Sequence, residues 1–144
     1  MSGIRARDTK PEINLRKRLF AAGFRYRTNV RSIPGCPDIV LPKHHCVIFV
    51  HGCFWHGHEC TLFRWPGTRE EFWREKISGN RKRDERNLER LAALGWRVAV
   101  VYECAIRGRK SPGIDAVADR LIHWITSSSR QLIIAGNEGD TSGK

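Results

Sequence analysis

The sequence predicts an α/β domain, a small mixed β-sheet with helices on its faces. Two short continuous apolar runs, 46–50 and 98–102, read as strands buried on both sides. Segments with apolar residues at helical spacing stand before, between and after them, which is how helices come to cover a sheet. At 144 residues the chain falls within the size of one domain.

The elements follow in order. Residues 1–10 form a basic N-terminal arm with Arg5, Arg7 and Lys10. Thr9 and Glu12 have the T-x-x-E spacing of a capping box, and Pro11 suits a first turn, so a helix is predicted from there. Leu15, Leu19 and Ala22 give it one buried face, and Gly23 ends it. Residues 24–30 alternate loosely, as a half-exposed strand with a basic face does. A Pro-Gly turn at 32–37 leads through Asp38 to a short strand at 39–41, and 46–50 returns after a four-residue connection. Paired as a hairpin, Leu41 meets Cys46 and Asp38 lies opposite Phe49, beside the Val50 carbonyl and the start of His51.

Thr68 and Glu71 repeat the capping spacing, with Phe72, Trp73 and Ile77 as the apolar side of a second helix. Residues 78–80 are expected to break it. A third helix then opens on the basic run 81–86, carries Leu88, Leu91 and Leu94, and stops at Gly95. After the strand at 98–102 comes a basic loop with Arg107, Arg109 and Lys110. Ile114, Val117, Leu121 and Ile125 mark a last amphipathic helix. Residues 127–144 read as a flexible tail with one apolar patch at 132–135, so the domain is expected to span 1–126. The expected order is helix, three strands, two helices, strand, helix.

The 26 Lys and Arg outnumber the 15 Asp and Glu, giving a charge of +11, which points to a polyanionic partner. No apolar run approaches the ~20 residues of a membrane span, and with no apolar h-region near the N-terminus no secretory signal is expected. Five cysteines outside a secreted setting favour reduced thiols and metal over disulfides.

Chemistry concentrates at 49–60, Phe-Val-His-Gly-Cys-Phe-Trp-His-Gly-His-Glu-Cys, directly after a buried strand. Cys53, His58 and Cys60 form a C-x4-H-x-C cluster. Cys104, also just beyond a buried strand, is the natural fourth ligand of a closed structural zinc site. His56 competes with His58 for that role; Cys36 and Cys46 read as spectators. Asp38 and Glu12 are the acids of interest, because phosphodiester hydrolysis is served by magnesium on one or two carboxylates plus water. His51 and His56 are placed to bind metal-ligated water or move a proton near neutral pH. Asp38 after Pro37 is also an ordinary turn residue, and Glu12 has a sufficient role as a cap. Phe54 and Trp55 suit stacking on bases or wedging between them, against the commoner fate of core packing. Residues 81–86 and 107–110 offer phosphate contacts or plain solvated faces.

Together these residues resemble the very short patch repair (Vsr) mismatch endonucleases. The resemblance is carried by Asp8-Thr9-Lys10-Pro11-Glu12, Phe24-Arg25-Tyr26-Arg27, Pro34-Gly35-Cys36-Pro37-Asp38 and the run from Val47 to His56. It continues through His58, Cys60, Phe72-Trp73, Lys76, Asn80, Gly95-Trp96-Arg97-Val98 and Glu103-Cys104-Ala105. It implies a restriction-endonuclease-like fold. It also implies nicking of the T strand, on the 5′ side of T, at a T:G mismatch left by deamination of 5-methylcytosine. Asp38 and the Val50 carbonyl would hold magnesium, with His51 and His56 at the metal-bound water or the scissile phosphate. Asp84 would support His56, and Glu12 would assist. Cys53, His58, Cys60 and Cys104 would hold zinc. Phe54 and Trp55 would wedge into the duplex, with Arg5, Arg7, Lys76, Asn80, Arg81 and Arg83 as further DNA contacts.

Some members carry threonine where this chain has Val50, a change a carbonyl ligand survives, and members tend to have a longer arm. The expected setting is a bacterial cytoplasm, at the nucleoid, as a monomer working beside other mismatch-repair proteins. A restriction-like enzyme for matched DNA would need the acids but not the Phe-Trp pair; a non-catalytic zinc module that binds DNA would not need Asp38.

Overall fold

A computed structural model describes residues 10–28, 30–52, 67, 69–106 and 113–135. Among the described residues three α-helices and five strands follow one another as α1 (Lys10–Ala21), β1 (Arg27–Thr28), β2 (Ile39–Leu41), β3 (Cys46–His51), α2 (Glu70–Ala93), β4 (Arg97–Tyr102), α3 (Gly113–Ile125) and β5 (Gln131–Ile134). The strands form one mixed sheet in the order β1-β2-β3-β4-β5. β1, β2 and β3 pair antiparallel, while β3, β4 and β5 run parallel. This is the mixed α/β architecture that the sequence predicts.

Strand alternation sorts the core into two layers. Ile39, Leu41, Cys46, Ile48, Ala99, Val101 and Ile134 face α1 and α3, meeting Leu15, Leu19, Val117, Leu121, Trp124 and Ile125. Val40, Val47, Phe49, Val98 and Val100 face the other way, against Leu91 and Leu88 of α2. The central strands read as unbroken apolar runs because both of their faces are covered. The hairpin has the predicted register, Leu41 opposite Cys46 and Ile39 opposite Ile48, and His45 closes the connection in a left-handed conformation. Among the described residues no helix is long and apolar enough to cross a membrane.

Several expectations need correction. Residues 78–80 do not break a helix; α2 runs through them for 24 residues. A mid-helix glycine costs only ~1 kcal/mol. Here the less exposed positions 73, 77, 80, 84, 87, 88 and 91 continue one stripe across Gly79, so packing against the sheet carries the helix on. Its N-cap is Arg69, left-handed and without a side-chain cap, in place of the expected Thr68. Phe72 belongs to the exposed side, not the apolar one. The strand at 24–30 shrinks to two exposed residues, and Ala22 is exposed just beyond α1.

The largest correction concerns 131–134, expected within a flexible tail. These residues are β5, paired with β4 from Val98↔Gln131 to Val101↔Ile134, with Ile134 fully buried. A four-residue strand on a parallel edge gains its hydrogen bonds and its burial from distant chain, so local pattern hardly marks it. The packed domain therefore runs past 126, through 134. Residues 136–144 lie outside the described set.

Candidate active site

In open α/β sheets ligands gather beyond the carboxyl ends of parallel strands. Here β3 and β4 end together, His51 in register with Tyr102, and β2 begins at the same edge. Asp38 stands just before β2. Its side chain is 8% exposed, and Oδ2 accepts the Val50 N–H at 2.6 Å. The hairpin thus delivers Asp38 to Val50 by the register that its four-residue connection sets.

The turn before Asp38 is held from below. Cys36 N–H donates to the Ile33 carbonyl at 2.9 Å. Gly35, at φ +82°, lies so close to the Phe49 ring that a Cβ there would meet it at 3.0 Å. Position 35 therefore needs glycine both for its left-handed backbone and for its close approach.

Glu12 comes to the site from α1. It is 1% exposed and forms an ion pair with Arg16, one turn on. This pair is what the sequence reading missed. The i, i+4 spacing was its signal, but the capping box already gave Glu12 a sufficient role. Burial pushes the Asp38 pKa from 3.8 up to about 7. The Val50 N–H and Arg16 pull it down, and Glu12 pushes it further up. With both acids ionised, the Glu12–Arg16–Asp38 group carries one surplus negative charge in a buried place. A hard cation is its natural complement, and two carboxylates with a backbone carbonyl are oxygen donors of the kind magnesium takes.

His51 is half-buried at the end of β3, its ring 5.5 Å from Phe49 and 5.8 Å from Tyr102. By strand alternation it faces the α2 side of the sheet. Asp84 lies on the inner stripe of α2, and Asn80 one turn earlier on the same stripe accepts from Arg83 at 3.2 Å. Lys76, Arg81 and Arg83 are exposed on the same helix. Phe72, 45% exposed, carries the Arg69 guanidinium 4.8 Å over its ring and meets Trp73 edge-on at 5.2 Å. The first turns of α2 are therefore aromatic and of mixed charge, with Glu70 paired to Arg74, and the basic run follows at 81–83.

Cys104 is buried in the 3-10 turn Glu103–Ala105 that follows β4. It stands two residues past Tyr102, which is in register with His51 at the end of the parallel pair. Cys53, Phe54, Trp55, His56, His58, Cys60, Arg5 and Arg7 lie outside the described residues. Among the described residues no group of three His, Cys, Asp or Glu side chains forms a metal-binding cluster. Cys46 packs in the core as expected, and burial raises its thiol pKa to about 11.

Residues 1–62 match the family model described as DNA mismatch endonuclease Vsr. The DNA mismatch endonuclease Vsr of Escherichia coli (strain K12) is 50% identical over 125 residues, 87% of this chain and 80% of that protein. The type II nicking enzyme V.XorIIP of Xanthomonas oryzae pv. oryzae is 47% identical over 74% of this chain and 78% of its own length. The type II nicking enzyme V.NmeAIP of Neisseria meningitidis serogroup A is 46% identical over 76% and 78%.

Proposed function

The chain belongs to the family of the DNA mismatch endonuclease Vsr and is an endodeoxyribonuclease; from that premise we propose that it nicks the T strand, on the 5′ side of T, at a T:G mismatch left by deamination of 5-methylcytosine, using magnesium. The observation that carries this reading is the contact of Asp38 Oδ2 with the Val50 N–H at the shared end of the parallel strands. Family membership also implies the restriction-endonuclease-like fold, with which the mixed five-stranded sheet agrees.

In this reading Asp38 and the Val50 carbonyl would hold the cation, and Glu12, fixed by Arg16, would assist from α1. When bound, magnesium would neutralise charge at the phosphate and make the attacking water more acidic. Asp38 itself is oriented by the Val50 N–H, which holds its carboxylate in one position without a search through rotamers. His51, kept in place by Phe49 and Tyr102, takes or gives a proton as water adds at phosphorus and one P–O ester bond breaks, its oxygen leaving as the alcohol. His56, in the role for which Asp84 would serve as support, shares that work. Phe54 and Trp55 wedge at the mismatch. Arg5, Arg7, Lys76, Asn80, Arg81 and Arg83 contact the duplex.

We assign Cys53, His58, Cys60 and Cys104 to one structural zinc. The support is the sequence spacing of Cys53, His58 and Cys60 together with the burial of Cys104 just past the end of β4. Elemental analysis of protein purified without chelator is expected to give one zinc per chain. Metal-free protein with native stability would remove the assignment.

The function is tested with end-labelled duplexes that differ only in one T:G or T:A pair, in magnesium. Nicking of the T strand 5′ to the mismatched T, with the T:A duplex intact, is the expected result. Cutting of both duplexes would make the chain a restriction-like enzyme. Tight binding without cutting would make it a binding module.

A further inference from the structure

Along β3, residue parity decides what each backbone group faces. The Arg97 N–H donates to the His45 carbonyl at 3.0 Å, and Cys46 is in register with Arg97. In a parallel ladder this turns the backbone groups of Val47, Phe49 and His51 toward β4. Those of Cys46, Ile48 and Val50 therefore face β2. Across from Cys46 and Ile48 stand Leu41 and Ile39. Carrying the same register onward puts position 37 across from Val50.

A continuous ladder would exchange two hydrogen bonds there: residue 37 would donate its N–H to the Val50 carbonyl and accept the Val50 N–H in return. This chain does neither. Position 37 is proline, which has no N–H. The Val50 N–H donates to Asp38 Oδ2 instead, at 2.6 Å. Pro37 is buried, and the turn that brings it to this place is fixed by the Cys36–Ile33 hydrogen bond and by the seat of Gly35 on Phe49.

We propose that Pro37 is a positioning residue of the cation site: it denies the Val50 carbonyl a ladder donor and so keeps that oxygen open for the metal. The inference rests on the reading of Asp38 and Val50 as the metal's ligands. Proline's rigid φ would serve the turn equally well without this consequence, so the two roles must be separated by the N–H alone.

The test compares alanine with lactic acid at position 37, introduced as a backbone ester. The two have the same side chain; only alanine brings an N–H. In metal-free Pro37→Ala protein, the new amide of residue 37 is expected to exchange with solvent about tenfold more slowly than an unbonded amide, or slower still. Mn2+, followed by electron paramagnetic resonance as a stand-in for Mg2+, should bind Pro37→Ala about tenfold more weakly than wild type, the worth of one hydrogen bond to be displaced. The lactate protein should bind Mn2+ like wild type. Equal affinity in wild type and Pro37→Ala, or a lactate protein as weak as Pro37→Ala, would overturn the proposal. Should Pro37→Ala fail to fold, the lactate protein decides alone: wild-type affinity supports the proposal and a tenfold loss overturns it. If wild type and Asp38→Asn bind Mn2+ equally, it is the underlying reading of the site that falls, whatever position 37 does.

Discussion

Asp38→Asn is expected to abolish nicking and, in metal-free protein above pH 7, to raise stability. Burial lifts the folded-state pKa of Asp38 from 3.8 to about 7. An acid whose pKa rises on folding contributes its stability fully below the unfolded value and loses it as pH climbs through the folded value. Metal-free wild type should therefore lose stability between about pH 4 and pH 7, by an amount on the order of a few kcal/mol. Asparagine keeps an oxygen for the Val50 N–H and never ionises, so the variant should show a flatter pH profile. Magnesium should raise the wild-type melting temperature more at pH 8 than at pH 5, where it must displace a proton, and should leave the variant unmoved. Single-turnover nicking should fall by about a thousandfold or more, since the metal's transition-state stabilisation goes with the carboxylate. Equal magnesium stabilisation of variant and wild type would contradict this account of Asp38.

Arg97→Ala is expected to cost ~3–5 kcal/mol of stability, because it removes a hydrogen-bonded cluster in one step. Arg97 Nη1 donates to the carbonyls of Trp124 at 3.1 Å and Ser129 at 3.2 Å. Nη2 donates to Ile125 at 2.7 Å and His44 at 3.2 Å. The guanidinium also lies 4.7 Å over the Trp124 ring. One side chain thus caps the last turn of α3 and ties it to the β2–β3 connection. Without it these carbonyls lose a charged donor, which costs more than the same bonds are worth when made. Arg97→Lys should recover less than half of the loss, since an ammonium cannot reproduce the planar fork. Arg97 begins β4, at the opposite end of the sheet from Asp38. Nicking per folded molecule should therefore hold, as measured in single turnover beside urea unfolding.

The hairpin was legible in the sequence because its connection is short: four residues between two apolar runs leave few registers, and one places Asp38 against Val50. That 46–50 and 98–102 are buried strands was legible from their unbroken apolar runs, whereas their parallel pairing is seen only in the structure. What escaped depends on contacts made over distance. β5 reads as a tail because one polar and three apolar residues carry no period. Gly79 and Asn80 read as a stop because propensity is local, whereas the stripe that seats α2 on the sheet is not. Phe72 and Trp73 read alike as core, yet only the geometry of the first helical turn tells which of two adjacent rings faces outward. Asp84 has no local signal either; its place on the inner stripe emerges once α2 is known to be one helix.

The measurement that bears most directly on the account is the position of Mn2+ in crystals of the protein grown with a T:G duplex, read from its anomalous scattering. The account predicts a peak bonded at once to an Asp38 carboxylate oxygen and to the Val50 carbonyl. A well-occupied peak bonded to neither of these oxygens would contradict it.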